Sequence, residues 1–241
     1  MTFLSAISTL IYPDNCFVCN SRDLGGLQIN GICRNCAKGL EAKVFESHRG
    51  SLKIYSGSKY SPTLSHIILA AKESNRLLAR KFLAKSLARS LIVAIADISI
   101  ENNLRQKRIV IIPIPSRKAA DRARGFAHIE LLLRELKLEL RRENSNISFE
   151  ILNCLLHQKT ITDQSSLNFH EREMNMRGAF KIKNSDTHRI QTLSNTNPAI
   201  FLVDDLVTSG STVQAANRAL NHLGIRVDGV LASCVTMGFT H

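Results

Sequence analysis

Ten residues, Val203 to Thr212, read VDDLVTSGST and combine two kinds of chemistry. Asp204 and Asp205 are adjacent carboxylates. Thr208, Ser209, Gly210, Ser211 and Thr212 are small, mostly hydroxylated, and able to turn. When such a loop opens a helix, the first backbone amides have no helical partner and carry partial positive charge, so they bind anions. Small residues let a phosphate approach those amides, and the hydroxyls add donors. Two carboxylates beside that cradle would repel a second phosphate but suit sugar hydroxyls or a hydrated magnesium ion. The ligand expected on this chemistry has a phosphate at one end and a diol at the other, as in a ribose 5-phosphate. The segment holds no G-x-x-x-x-G-K-[ST], so a Walker nucleotide site is not supported.

A second constellation lies near the N-terminus. Cys16, Cys19, Cys33 and Cys36 form C-x2-C-x13-C-x2-C. Two such knuckles place four thiolates around one tetrahedral zinc. With all four positions thiols and none open, the ion expected is structural. Disulfides are the alternative, favoured only by an oxidising compartment, and residues 1–16 lack the basic start and cleavage site of a signal peptide. Cys154 and Cys234 lie in apolar surroundings and read as ordinary buried cysteines.

The elements that must position these groups follow from periodicity. Residues 199–203, AIFLV, form an apolar run bounded by Pro198 and the two aspartates, as in a strand buried on both faces. Residues 213–223 form a helix with Val213, Ala216, Leu220 and Leu223 on one side. The acids thus sit at the carboxyl end of a strand, where open α/β sheets place ligands. Residues 108–112 predict a second buried strand. It is followed by Pro113-Ile114-Pro115 and the basic residues Arg117, Lys118, Arg122 and Arg124, which at a strand end would meet a pyrophosphate, or else form a basic surface loop. Helices are expected over 75–96 and 127–140. The Lys81, Lys85 and Arg89 stripe reads as a solvated face before a nucleic-acid track. A weaker strand signal occupies 52–55; strands are also expected over 148–152 and 179–183, and residues 226–235 are expected to close the sheet as its final strand. Phe3, Leu4, Ile7, Leu10 and Ile11 predict a short helix ended by Pro13. Residues 159–177 are polar enough for a lid-like loop, and residues 185–197 read as a surface loop.

Composition bounds the function. The chain has 241 residues, 44% hydrophobic and 22% charged, which fits a globular α/β domain with a small extra module. The boundary expected is 1–45 for an N-terminal helix and cysteine knuckle, then 46–241 for the α/β domain. The net charge of +12 suits polyanionic partners, or a basic surface without a specific partner. With no Trp and 5% aromatics, a platform that stacks single strands by their bases is disfavoured. No apolar run approaches a membrane span, and a cytoplasmic location is expected.

The stretch VDDLVTSGST resembles the PRPP loop of type I phosphoribosyltransferases, whose paired acids meet the ribose hydroxyls while the loop holds the 5-phosphate. Beyond it, the cysteine knuckle, Lys72, Pro113-Ile114-Pro115, Arg117, Arg124-Gly125-Phe126, then Thr160, Gln164, Leu167, Arg172, Asn175, Ala179 and Phe180 resemble in order the ComF (GntX-like) family of competence proteins. The chain departs from that family at Ala127-His128, where Asn-Gln is usual, and at His157, where Arg is common. The resemblance implies a type I phosphoribosyltransferase-like parallel sheet flanked by helices, with a zinc-ribbon-like module. It implies a magnesium-dependent PRPP site, with Asp204 and Asp205 on the ribose and at the reacting carbon, Thr208 to Thr212 on the 5-phosphate, and Lys72, Arg117 and Arg124 toward the pyrophosphate. Its functional implication is a glycosyltransferase acting in support of DNA uptake. The alternative is a non-catalytic protein that binds single-stranded DNA or a competence partner and keeps the pocket as a sensor or relic.

Overall fold

The computed structural model of the chain describes residues 15–21, 31–102, 108–158 and 178–238. Six strands form its central sheet: β1 (Phe45–Arg49), β2 (Leu52–Ser56), β3 (Ile109–Pro113), β4 (Glu150–Ile151), β7 (Ala199–Val207) and β8 (Gly229–Val235). Their order is β1-β2-β8-β7-β3-β4. Every pairing is parallel except that of β1, which folds back antiparallel on β2 at one edge. β5 (Leu155–His157) and β6 (Phe180–Ile182) form a separate antiparallel ribbon.

The helices are α1 (Arg34–Ala37), α2 (Pro62–Lys72), α3 (Leu77–Asn102), α4 (Lys118–Arg124), α5 (His128–Arg142), α6 (Thr187–Thr196) and α7 (Ser211–Asn221). Both faces of the sheet are covered, so its inner strands are apolar without alternation, as parallel sheets require: β3 and β8 are buried along their whole length. Side chains alternate across β3 all the same. Ile109 and Ile111 join α2, α3 and α5 in one buried cluster, while Val110 and Ile112 join α6, α7 and the β5–β6 ribbon in the other.

Helix α3 lies unusually close to the sheet, because small residues line the contact. A Cβ on Gly57 would come within 1.9 Å of the Ser86 carbonyl oxygen. Ser86 and Ser90 donate to the Ser233 and Ala232 carbonyls at 2.7 and 3.0 Å, and Ser233 donates back to Leu83 at 3.0 Å. Of the basic stripe on α3, Lys85 is exposed, whereas Arg89 turns inward and donates to the Gly57 carbonyl at 2.9 Å.

Two expectations need revision. Residues 185–197 are not a loop: a 3-10 turn (Asn184–Asp186) leads into α6. Among its described residues that helix buries Ile190 and Leu193, one helical turn apart, and its composition is too polar to stand out in the sequence. It ends at Asn197 in the left-handed region, φ 43°. Ahead of β2, which matches the signal at 52–55, lies an edge strand that no signal announced, β1, and it makes the sheet mixed at that edge. The expected helix over 3–11, the lid-like loop and Thr160, Gln164, Leu167, Arg172 and Asn175 lie outside the described residues, while Phe180 opens β6.

Candidate ribose-phosphate site and cysteine cluster

The long strand β7 carries both acids, and three residues separate its end from the start of α7. Asp205 is 3% exposed. Lys72, the last residue of α2, places Nζ 3.0 Å from Asp205 Oδ2. His128, the first residue of α5, is 1% exposed and holds Nε2 3.4 Å from the same oxygen. Asp204 is half-buried, and its Oδ1 accepts the Asp205 backbone N–H at 2.9 Å. The ends of two helices therefore converge on one carboxylate.

The two acids are pushed apart in acidity. Burial, and then the neighbouring Asp205 charge, raises Asp204 well above the usual carboxylate range. Burial works on Asp205 too, but the His128 ring and the Lys72 ammonium outweigh it and hold Asp205 below that range. Lys72 is itself held above the ordinary lysine value: burial would lower it, and the Asp205 carboxylate reverses that. The pair thus carries its negative charge on Asp205, with Asp204 the member that takes up a proton.

The loop after β7 is set from behind by Arg49, the last residue of β1. Its Nε donates to the Thr208 carbonyl at 2.8 Å and its Nη2 to the Thr236 carbonyl at 2.6 Å. Gly210 has φ 83°, and a Cβ there would lie 2.6 Å from Arg49 Cβ and Cγ. Only glycine meets both demands. Thr208 is exposed, and the Ser209 and Ser211 hydroxyls are 2.9 Å apart at the start of α7, with Thr212 following. Sequence reasoning did not single out Arg49. Its one signal was a lone arginine before a turn, 159 residues from its partner.

The basic residues divide. Arg124, at the end of α4, donates to Asp121 at 2.8 Å and to Glu73 at 3.4 Å, beside Lys72. Arg117 caps the start of α4 with its side chain exposed. The two positions where the chain departs from the resemblance both face this region: His128 meets Asp205, and His157 Nε2 lies 2.8 Å from the Pro115 carbonyl. Burial lowers His157 from the usual histidine value, so its neutral ring donates to that carbonyl.

The four cysteine sulfurs lie within 4.8 Å of one another and could hold a metal ion. Zinc–sulfur bonds of about 2.3 Å in a tetrahedron set sulfurs about 3.8 Å apart, and Cys19 and Cys33 stand at 3.7 Å. The Cys33 and Cys36 amides point at the Cys16 and Cys33 sulfurs at 3.3 and 3.4 Å, the N–H to sulfur contacts that favour thiolates. Cys16, Ile32 and Cys33 are buried in the same cluster as α2 and α3, and the Arg76 guanidinium covers the Phe17 ring at 5.3 Å. The cluster therefore sits on the connection between α2 and α3. Cys154 and Cys234 are buried, and burial pushes both thiols up to about 12.

No protein-family model matches the chain. Among curated proteins it is similar to Competence protein F of Haemophilus influenzae, at 27% identity over 221 residues covering 83% of this chain and 90% of that protein. Among the described residues no helix is long and apolar enough to cross a membrane.

Proposed function

We propose that this chain, similar over 83% of its length to Competence protein F, is a ComF-type, PRPP-binding, phosphoribosyltransferase-like protein that supports DNA uptake from the cytoplasm. The observation that carries the reading is the convergence of Lys72 and the loop braced by Arg49 on the Asp204–Asp205 pair. Asp205 contacts a ribose hydroxyl in its charged form. Asp204, nearer to neutrality, donates to the other hydroxyl or gives up its proton when a cation arrives. The amides and hydroxyls of Thr208, Ser209, Gly210, Ser211 and Thr212 bind the 5-phosphate. Lys72, with Arg124 next to it, meets the pyrophosphate, and Arg117 reaches it from the start of α4. A magnesium ion held beside Asp204 and Asp205 would supply charge neutralisation for the departing pyrophosphate. The protein's own part in transfer is positional and electrostatic, because pyrophosphate is already a good leaving group.

In the same reading residues 1–45 are a module held by structural zinc on Cys16, Cys19, Cys33 and Cys36, and residues 46–241 are the ribose-phosphate domain. The test is calorimetric titration of PRPP, with and without magnesium, into the wild type and the Asp204→Asn, Asp205→Asn double variant. Magnesium-dependent binding that the double variant loses is expected. Undiminished binding by the double variant removes the assignment. A second reading, a single-stranded-DNA or competence-partner binding protein with a sensory pocket, is favoured by the +12 net charge. It requires affinity that falls steeply as salt rises.

A further inference from the structure

The cysteine cluster and the Asp204–Asp205 pair meet through one short segment, the connection between α2 and α3. Arg76 is its centre. Its amide donates to the Ala70 carbonyl at 2.9 Å and closes the end of α2, and its carbonyl accepts the Arg80 amide at 3.0 Å and opens α3. Its guanidinium covers the ring of Phe17, which lies between Cys16 and Cys19 in the chain. Lys72, the partner of Asp205, stands inside the loop that the Arg76–Ala70 bond closes. Whatever displaces Arg76 therefore displaces the helix end that carries Lys72.

The cysteine module presses on this segment with its backbone as well. The Phe17 amide donates to the Gly31 carbonyl at 3.2 Å, which ties the first knuckle to the second. A Cβ on Gly31 would lie 2.7 Å from Leu78 Cδ1 and 3.2 Å from the Phe17 ring, so the knuckle backbone rests directly on the first turn of α3. Cys16 and Cys33 are buried in the same apolar cluster as Ala71 of α2 and Ala79 of α3. The other supports of the connection are slighter. Arg124 reaches the exposed Glu73 at 3.4 Å, and Asn75, which accepts from Arg80, holds φ 51°, a left-handed conformation that its surroundings have to sustain. A small four-cysteine module takes its fold from the ion it binds, because such a site is rarely preformed without one. Two of the four cysteines are fully buried, so a loss of order there is passed to α2 and α3 and not only to solvent.

We propose that the cysteine module regulates the ribose-phosphate site: when its four cysteines hold an ion, they brace the end of α2, set Lys72 against Asp205 and raise the affinity for the phosphorylated ligand. The ligand in this inference rests on the ribose-phosphate reading; the brace does not. The two states are a braced and a slack α2–α3 connection. Coupling of this kind is mutual, so the ligand tightens the metal by the same factor as the metal tightens the ligand. A module that only supports the fold produces neither effect.

The experiment uses the full chain, loaded with zinc or stripped by a chelator, with PRPP as the probe. Calorimetry should show PRPP bound at least about fivefold more tightly by the loaded protein. Competition with a chromogenic chelator should show zinc affinity raised by the same factor when PRPP is present. Hydrogen exchange reads the brace without PRPP: stripping should speed exchange of the Glu73 and Arg76 amides, which close the end of α2, and leave those of β7 and β8 protected. A Phe17→Ala, Leu78→Ala double variant keeps all four cysteines. It should bind zinc, exchange fast at Glu73 and Arg76 even when loaded, and bind PRPP with an affinity that no longer depends on the ion. If stripping unfolds the whole chain, the loaded double variant decides alone. Equal PRPP binding by folded loaded and stripped wild type would overturn the proposal and leave the ribose-phosphate reading standing. Absence of PRPP binding from both forms would remove that reading instead, and the amides then judge the brace. Protection of Glu73 and Arg76 that survives stripping, or that is intact in the loaded double variant, would overturn it.

Discussion

Replacing Gly210 by alanine tests the site's architecture directly. The substitution has two separable costs. At φ 83° an L-residue sits in the left-handed region, at about 1–2 kcal/mol. The new Cβ also meets Arg49 Cβ and Cγ at 2.6 Å, closer than such atoms approach. Arg49 cannot swing aside without giving up its bonds to the Thr208 and Thr236 carbonyls. Overpacking of this kind costs about 1–3 kcal/mol more. Gly224 supplies the control, since its φ is 74° and a Cβ there would meet nothing within 4 Å. Gly224→Ala should therefore cost only the conformational part. Urea unfolding of the two variants should differ by about 1–3 kcal/mol, and the sum for Gly210→Ala stays below the about 5–15 kcal/mol that holds a domain together. The folded Gly210→Ala protein should also bind PRPP more weakly, whereas Gly224→Ala should bind as the wild type does. Equal destabilisation by the two variants would refute the idea that Arg49 sets the loop.

Other outcomes follow from the same geometry. Lys72→Ala strips Asp205 of its closest cation and should cost about 1–3 kcal/mol, toward the lower end because the ammonium is partly solvated; a urea midpoint equal to wild type would count against the pair. Asp205, held below the usual carboxylate range, contributes stability that is fully present above about pH 4 and is lost as pH falls further through its folded value. Asp204 works in the opposite sense: its raised value makes stability fall as pH climbs from about 4 through the folded value. Asp204→Asn keeps the acceptor for the Asp205 amide and should gain stability over wild type at pH 8 but not at pH 4, read from unfolding midpoints across that range. Metal removal by a chelator should loosen residues 15–21, 31–37 and the α2–α3 connection while the sheet stays folded, seen as lost amide protection in those segments with most far-UV signal retained. Loss of the whole far-UV signal on chelation would contradict it.

Local signals account for what could be read without coordinates. An apolar strand, two acids, a small-residue loop and an amphipathic helix are contiguous in 199–221, so β7, the turn and α7 follow from neighbours in the chain. The four cysteines declare themselves by spacing, because two short knuckles have few ways to bring four sulfurs together. Buried strands β3 and β8 were visible as apolar runs for the same reason. Where the signal was weak, the physical cause is plain. Helix α6 buries two of its described residues and β1 alternates on an exposed edge, so neither shows a strong period.

Tertiary structure decided the partners. Lys72 and Asp205 are 133 residues apart, and Arg49 and Thr208 are 159 apart. No local preference records such pairs, since they exist only once α2 has packed on the sheet and β1 has folded onto β2. The same holds for His128: in sequence it is a departure from a familiar pattern, and in space it is a buried ring against Asp205. Sequence alone marks which segments carry the chemistry expected of a phosphate, diol or metal site, because that chemistry resides in short runs of chain. Which carboxylate is charged, which arginine holds the loop and where the cysteine module rests depended on burial and long-range contact, and those are properties of the packed molecule alone.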